Sequence, residues 1–326
     1  MNTTVPVKNV IRSVDRANNL ETPLHILSIC KNNEKYISLL SSTQHQFYIL
    51  PQHPWNNIIE KRPANVHTYN VFSPPLDFII CYDRAEQYDE AVLLSRQLQV
   101  PIIIVDMCSK ESIRPHHFLE DMHNIDLNRL NRHAALAVYN HTDIQQSWSH
   151  NNLTVAQTIV IGVDVNKFNS INPKNKKGIA LDNNIPAQIG AVVASYVNNT
   201  HDILPTDRDD TNTPIVNTTK YFINPYKHIT VKTLEAMAAE NVVIALNTPD
   251  IASIITHQKT GWLLHSLDDL PAALVLLEQN QNLQQTIAQN ARQKIVKDHS
   301  LDKFISRWQN TLQAIRMTIY HPIPTL

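Results

Sequence analysis

Residues 230–274, TVKTLEAMAAENVVIALNTPDIASIITHQKTGWLLHSLDDLPAAL, alternate between two kinds of patterning. TVKTLEAMAA sets Leu234, Met237 and Ala238 on one helical face, and VVIAL is a short branched apolar run. DIASIITH then reads as a short helix, GWLLH as a strand and LPAALVLLEQ as a helix. Helical stretches that alternate with short apolar strands signal parallel strands joined by crossover helices. Working outward, NTTKYFIN is the strand before this stretch, while QNLQQTIAQNARQKIVKDH and LDKFISRWQNTLQAIRMTIY are helices after it.

The N-terminal half repeats the pattern. LHILSIC (24–30), QFYIL (46–50), LDFIIC (76–81) and VPIIIVDM (100–107) read as strands, followed by ALAVYN and QTIVIG. EKYISLLSS is helical, as is AEQYDEAVLLSRQLQ with its stripe of Ala91, Leu94 and Leu98. QHPWNNIIEKRPANV, spaced by prolines, reads as loop, and the polar, basic INPKNKKGIALDNN reads as a domain linker, after which QIGAVVASYV begins a second alternation. The expected architecture is α/β, with two doubly wound Rossmann-like domains facing a cleft and the second domain shortened. The expected divisions are an N-terminal tail over 1–23, a first domain over 24–170, a second over 171–308, and a C-terminal helix and tail over 309–326.

Composition narrows the function. The 326 residues are enough for two domains of roughly 100–200 residues each. With 28 basic against 29 acidic side chains the formal charge is −1, so nucleic acid is not a favoured partner. No apolar run approaches the roughly 20 residues of a membrane span, and residues 1–23 lack a secretory apolar segment. Three cysteines, Cys30, Cys81 and Cys108, fit a reducing compartment, and the expected location is cytoplasmic. Only four glycines are present, which excludes glycine-rich dinucleotide and Walker phosphate loops. Asparagine, which tolerates left-handed backbone, is the expected substitute at turns.

The stretch 230–274 resembles the donor half of family 4 glycosyltransferases of the GT-B fold, with the LEAMA helix, the strand after it, the short DIASII helix, the TGWLL strand and the LDDLPAAL helix in the family's order. QNLQQTIAQNARQKIVKDHSLDKFISRWQNTL is similar to the family's terminal helices, and IVIGVDVNKF resembles the turn that closes its acceptor domain. About half the chain carries the resemblance, as would a compact, divergent, bacterial or phage-like member. It implies a retaining transferase that moves a hexosyl or pentosyl group from a nucleotide diphosphate sugar to a hydroxyl acceptor, with no other cofactor. The acceptor classes implied are a glycan, a small molecule or a modified DNA base.

Physics supports the donor helix independently. A helix starting at Thr230 presents unpaired N–H groups and a positive dipole end, which hold phosphate without a glycine loop. Lys232 in its first turn adds charge, and Thr233 lies in the same turn. By resemblance Lys232 neutralises the diphosphate and the Glu235 carboxylate accepts the ribose hydroxyls. The ordinary reading of this pair is a solvated helix face. The family pairs Glu235 with an earlier glutamate, whose place is taken here by Lys227. Its glycine pair falls on Pro249 and Asp250, its next glutamate on Ser253, and its helix-ending glycine on Glu240.

Elsewhere, Arg84, Arg114, His116 and His117 are candidate phosphate or acceptor contacts, with exposed surface positions as the ordinary reading. No residue stands out as a catalytic base, and no ligand spacing points to a metal. A partner or scaffold protein with an eroded donor site is the alternative function. A basic stripe of Lys61, Arg62, Arg129 and Arg132 on one surface would favour a DNA acceptor.

Overall fold

The computed structural model describes residues 21–29, 34–56, 62–82, 87–106, 134–142, 145–146, 155–169, 177–181, 203–205 and 214–320. These form two parallel sheets. The first contains β1 (His25–Ile29), β2 (Gln46–Ile49), β3 (Val66–Thr68), β4 (Phe78–Cys81), β5 (Ile102–Asp106), β6 (Ala134–Tyr139) and β7 (Ala156–Thr158), in the order β3-β2-β1-β4-β5-β6-β7. The second contains β8 (Ile179–Leu181), β9 (Ile203–Pro205), β10 (Tyr221–Asn224), β11 (Val242–Leu246) and β12 (Trp262–Leu264), in the order β12-β11-β10-β8-β9. Ile26 pairs with Phe47 and Phe78, and Phe222 pairs with Ala180 and Val243, so β1 and β10 are central. Apolar side chains on both faces bury these strands, as parallel sheets require.

Two stretches differ from their sequence reading. Residues 52–66, read as loop, end in the edge strand β3, where Val66 pairs with Phe47. The expected linker contains β8, which lies between β10 and β9 inside the second sheet. Three-residue strands flanked by Pro, Asn and Lys are too short to show a period of two, so only tertiary pairing reveals them. The strand read at QTIVIG (157–162) instead spans Ala156–Thr158, and QIGAVVASYV lies outside the described residues.

The helices include α1 (Glu34–Leu40) after β1, α2 (Tyr88–Leu98), α3 (Val231–Ala238) after β10 and α4 (Pro249–Ala252) after β11. The chain then runs through α5 (Leu270–Gln279), α6 (Gln281–Asp298) and α7 (Leu301–Tyr320). Helix α7 returns to the first sheet. Its Phe304 and Trp308 pack edge-on against Tyr36 of α1, and Thr311 donates to Gln157 of β7. One apolar cluster therefore runs from Leu24 and Tyr36 through Ala180 and Phe222 to Trp308 and Leu312. Its side chains come from both sheets and from the returning helix.

The two crossings between the halves are tied together. Val163 N donates to His299 O at 2.8 Å, and Leu301 N donates to Val163 O at 2.9 Å. Gly162 makes this approach possible, because a Cβ there would stand 2.5 Å from Phe304 Cβ and 3.1 Å from Leu301 Cα. Gly162→Ala is expected to cost about 1–3 kcal/mol through overpacking, read as a lower urea midpoint.

Among the described residues, left-handed backbone is not carried by asparagine. Among the described residues, the non-glycine positions with positive φ are Gln99, Glu240 and Gln258. Glu240, at φ 59°, ends α3 where the resemblance would put glycine. Asn241 beside it is instead buried, its amide donating to Val216 O and Ala236 O.

Candidate functional site

Helix α3 begins where β10 ends, at the point where the second sheet's strand order reverses. Asn224, the last residue of β10, shapes the approach: its Nδ2 donates to His228 O at 2.9 Å and its Oδ1 accepts from Tyr226 N at 3.0 Å. Thr230 is the N-cap. Its hydroxyl accepts from Thr233 N at 3.2 Å and meets the Thr233 hydroxyl at 2.9 Å, forming a reciprocal capping box. Leu234, Ala236, Met237 and Ala238 are buried in the core.

This packing leaves Lys232 and Glu235, three residues apart, beside one cleft. The polar residues lining the cleft are Lys35, Lys167, Lys232 and Glu235. Phe168 and Pro214–Val216 form the apolar side. Three ammonium groups against one carboxylate give the lining an excess of positive charge.

Lys35 comes from the other half of the chain. It lies in the first turn of α1, directly after β1, where the first sheet's order reverses between β1 and β4. Its Nζ donates to Glu235 Oε2 at 2.6 Å, with the lysine side chain 47% exposed and the glutamate 11%. The halves thus meet at the carboxyl edges of both sheets, at their switch points, which is where open α/β sheets bind ligands. Lys167 stands 5.4 Å from the Phe168 ring centre, at the chain crossing. Arg292 of α6 anchors that crossing by donating to Phe168 O at 3.1 Å and Val165 O at 3.3 Å.

Of the residues singled out from sequence, Lys232 and Glu235 share this cleft. Thr230 and Thr233 are next to it but hydrogen-bonded to each other, with Thr233 fully buried. Lys227 is exposed on the loop before α3, its carbonyl accepting from the Thr248 hydroxyl at 2.7 Å. Arg84, Arg114, His116 and His117 lie outside the described residues, as do Cys30, Cys108, Lys61, Arg129 and Arg132. Cys81 is buried at the end of β4, and Arg62 donates to Thr68 Oγ1 at 3.0 Å.

Lys35 and Lys167 were not evident from sequence. The available signal was positional: the first charged turn after the central strand, and the lysine of the VDVNKF turn.

A second, smaller cavity lies on the other side of the α3 start, with Ile229 and Val231 in its wall. It also draws on both halves, through Asn140, His141, Asp250, Ser253 and His299. Burial holds the His228 imidazole below its usual pKa, opposed by the Asp250 carboxylate. Among the described residues, no group of three or more His, Cys, Asp or Glu is placed to hold a metal ion. No described helix is long and apolar enough to cross a membrane.

Residues 214–294, which include α3 and most of the second sheet, match the family model for Glycosyl transferases group 1. The matched stretch is about a quarter of the chain. No curated protein matches the chain in sequence. Among solved structures, it is similar to Anabaena Alr3699/HepE in complex with UDP-glucose, at 11% identity and a TM-score of 0.71, covering 89% of this chain and 100% of that one. It is also similar to a glycosyltransferase from Rickettsia africae ESF-5, at 14% identity and a TM-score of 0.64, covering 91% and 99%. Sucrose-phosphate synthase (tll1590) from Thermosynechococcus elongatus matches at 10% identity and a TM-score of 0.65, covering 90% and 99%. At these identities the likeness is one of fold: two facing parallel-sheet domains in the GT-B arrangement.

Proposed function

We propose that this chain is a retaining glycosyltransferase that moves a sugar from a nucleotide diphosphate sugar to a hydroxyl acceptor. The observation that carries the reading is the convergence of Lys35, Lys167, Lys232 and Glu235 on one cleft at the start of α3. In this reading the three ammonium groups and the α3 N-terminus hold the diphosphate, and Glu235 accepts hydroxyl protons of the ribose. UDP is the first nucleotide to test, since HepE is described in complex with UDP-glucose.

As the glycosidic bond breaks, negative charge grows on the leaving diphosphate, and cations already in place stabilise it more than they stabilise the ground state. The acceptor oxygen forms its bond to the anomeric carbon on the face the diphosphate leaves. The acceptor's proton passes to the departing phosphate oxygen, so no protein base is required. Closing the halves over the donor would exclude water and limit its hydrolysis. The compartment proposed is the cytoplasm, and a glycan, a small molecule or a modified DNA base remains the acceptor class.

The test is release of UDP from UDP-glucose in the presence of a panel of hydroxyl acceptors. Lys232→Ala is expected to lower that release about 10- to 100-fold, the equivalent of one charge-assisted contact. Release from no nucleotide sugar would favour the non-catalytic partner reading, for which the specific observation is an exposed Lys227 where the resemblance would put a carboxylate.

A further inference from the structure

We infer that the turn Asn70–Ser73, which carries Val71 and Phe72 between β3 and β4, is a contact site for an anionic lipid bilayer surface. It is separate from the lysine cleft and does not depend on the donor reading. Phe72 is 93% exposed and Val71 91%, the highest values among the exposed large hydrophobic side chains of the described residues. A single exposed apolar side chain is ordinary, whereas adjacent ones held out by the backbone mark a contact surface.

The backbone fixes them there. Ser73 N donates to Asn70 O at 3.0 Å, which closes a β-turn with Val71 and Phe72 at its two central positions. Asn70 Oδ1 accepts from Phe72 N at 2.9 Å, and Ser73 Oγ accepts from Asn70 N at 2.9 Å. Both feet of the turn are anchored. Tyr69 N donates to Ile49 O at 2.8 Å, the Tyr69 ring packs edge-on to Tyr48, and Leu76 is buried beyond Pro74 and Pro75. The two side chains therefore stand on a preformed tip that has little backbone entropy left to lose on docking.

The charge near the tip is of one sign. Between Glu60 and Asp77 the sequence carries Lys61 and Arg62 and no carboxylate. Arg62 donates to Thr68 Oγ1 at 3.0 Å, which places its guanidinium at the foot of the turn. Asp77 is 3% exposed and accepts from His25 N at 2.7 Å, so its carboxylate is turned inward. An apolar tip with cationic charge at its base is complementary to anionic headgroups lying over hydrocarbon. A folded protein is the poorer fit, because a stable interface covers about 800 Å² on each partner with matched shape. Two side chains on a turn fall short of that area, and a bilayer requires no matching shape. The contact is weak, reversible and sensitive to salt, since one small apolar tip needs the added electrostatic attraction. β3 is the outer strand of the first sheet, and the turn follows its carboxyl end, on the edge where Lys35 also lies. Two strand spacings of about 4.8 Å separate β3 from β1, so the bilayer contact sits beside the cleft rather than in it.

The test is co-sedimentation of the full chain with vesicles of phosphatidylcholine alone and of phosphatidylcholine mixed with phosphatidylglycerol, for the wild type, Phe72→Ser, and Val71→Ser combined with Phe72→Ser. The wild type is expected to sediment with the anionic vesicles at low salt, and less with neutral vesicles or as salt rises. The double variant is expected to lose about 10-fold or more of its partition coefficient, the worth of withdrawing two apolar side chains from hydrocarbon. Both positions are exposed and the turn's hydrogen bonds use backbone that the variants keep, so folding is expected to be unchanged; Phe72→Ser alone decides if the double variant does not fold. No sedimentation of the wild type with anionic vesicles, equal sedimentation with neutral and anionic vesicles, or equal partition of wild type and variants would overturn the inference. A concentration-dependent dimer in sedimentation velocity that the substitutions abolish would assign the tip to a second copy of the chain and overturn it as well.

Discussion

Trp308→Ala is expected to lower stability by about 3–5 kcal/mol, the range for removing a large buried aromatic side chain. Trp308 is fully buried, its Nε1 donates to the Tyr36 hydroxyl at 3.3 Å, and its ring lies 6.4 Å from those of Tyr36 and Phe304. Burial pushes the Tyr36 phenol well above its usual pKa, so the hydroxyl stays protonated and depends on neutral partners. Loss of the indole leaves a cavity where α7 docks on α1. Because Lys35 directly precedes Tyr36, the damage reaches the lysine cleft as well as the core. Urea unfolding followed by tryptophan fluorescence and far-UV circular dichroism would measure it. A change below about 1 kcal/mol would mean that α7 contributes little to the union of the halves.

The second large effect is acid sensitivity centred on His299. Burial first, and Lys294 and His141 to a smaller extent, lower its imidazole pKa to about 4, against the opposing hydrogen bond to Ile161 O and the Asp298 charge. The unfolded chain binds this proton near pH 6.5, so between there and about pH 4 the unfolded state holds more protons and stability falls as pH falls. The full depression corresponds to about 3 kcal/mol. Below pH 4 both states are protonated and this contribution changes no further. Burial also lowers the imidazole pKa of His53, His228 and His257, which adds to the slope in the same sense. The specific expectation is therefore a difference: His299→Gln flattens the stability profile between pH 6.5 and 4 relative to wild type. Parallel profiles would show that His299 does not set it.

Residues 230–274 were legible because their periods are long and clean: α3, β11, α4 and β12 each occur where the pattern places them. Burial of Leu234, Met237 and Ala238 follows from the same periodicity. β3 and β8 were not legible, since three residues among polar neighbours gain their strand character from Phe47 and Phe222 alongside them rather than from their own order. The helix charges were half legible. Lys232 and Glu235 could be placed on one face by spacing, but Lys35 meets Glu235 across 200 positions of chain, a contact no local pattern carries. The left-handed residue after α3 is Glu240, the position on which the resemblance puts the family's helix-ending glycine. Asn241 is held instead by buried hydrogen bonds to Thr219, Val216 and Ala236.

The most direct test of the lysine cleft is calorimetric titration of uridine, guanosine, adenosine and thymidine diphosphates into the wild type, Lys232→Ala and Glu235→Ala. One diphosphate is expected to bind the wild type, with each substitution weakening it about 10- to 100-fold, the worth of one charge-assisted contact. No binding of any diphosphate to the folded wild type, or an affinity unchanged in both variants, would contradict the assignment of this cleft.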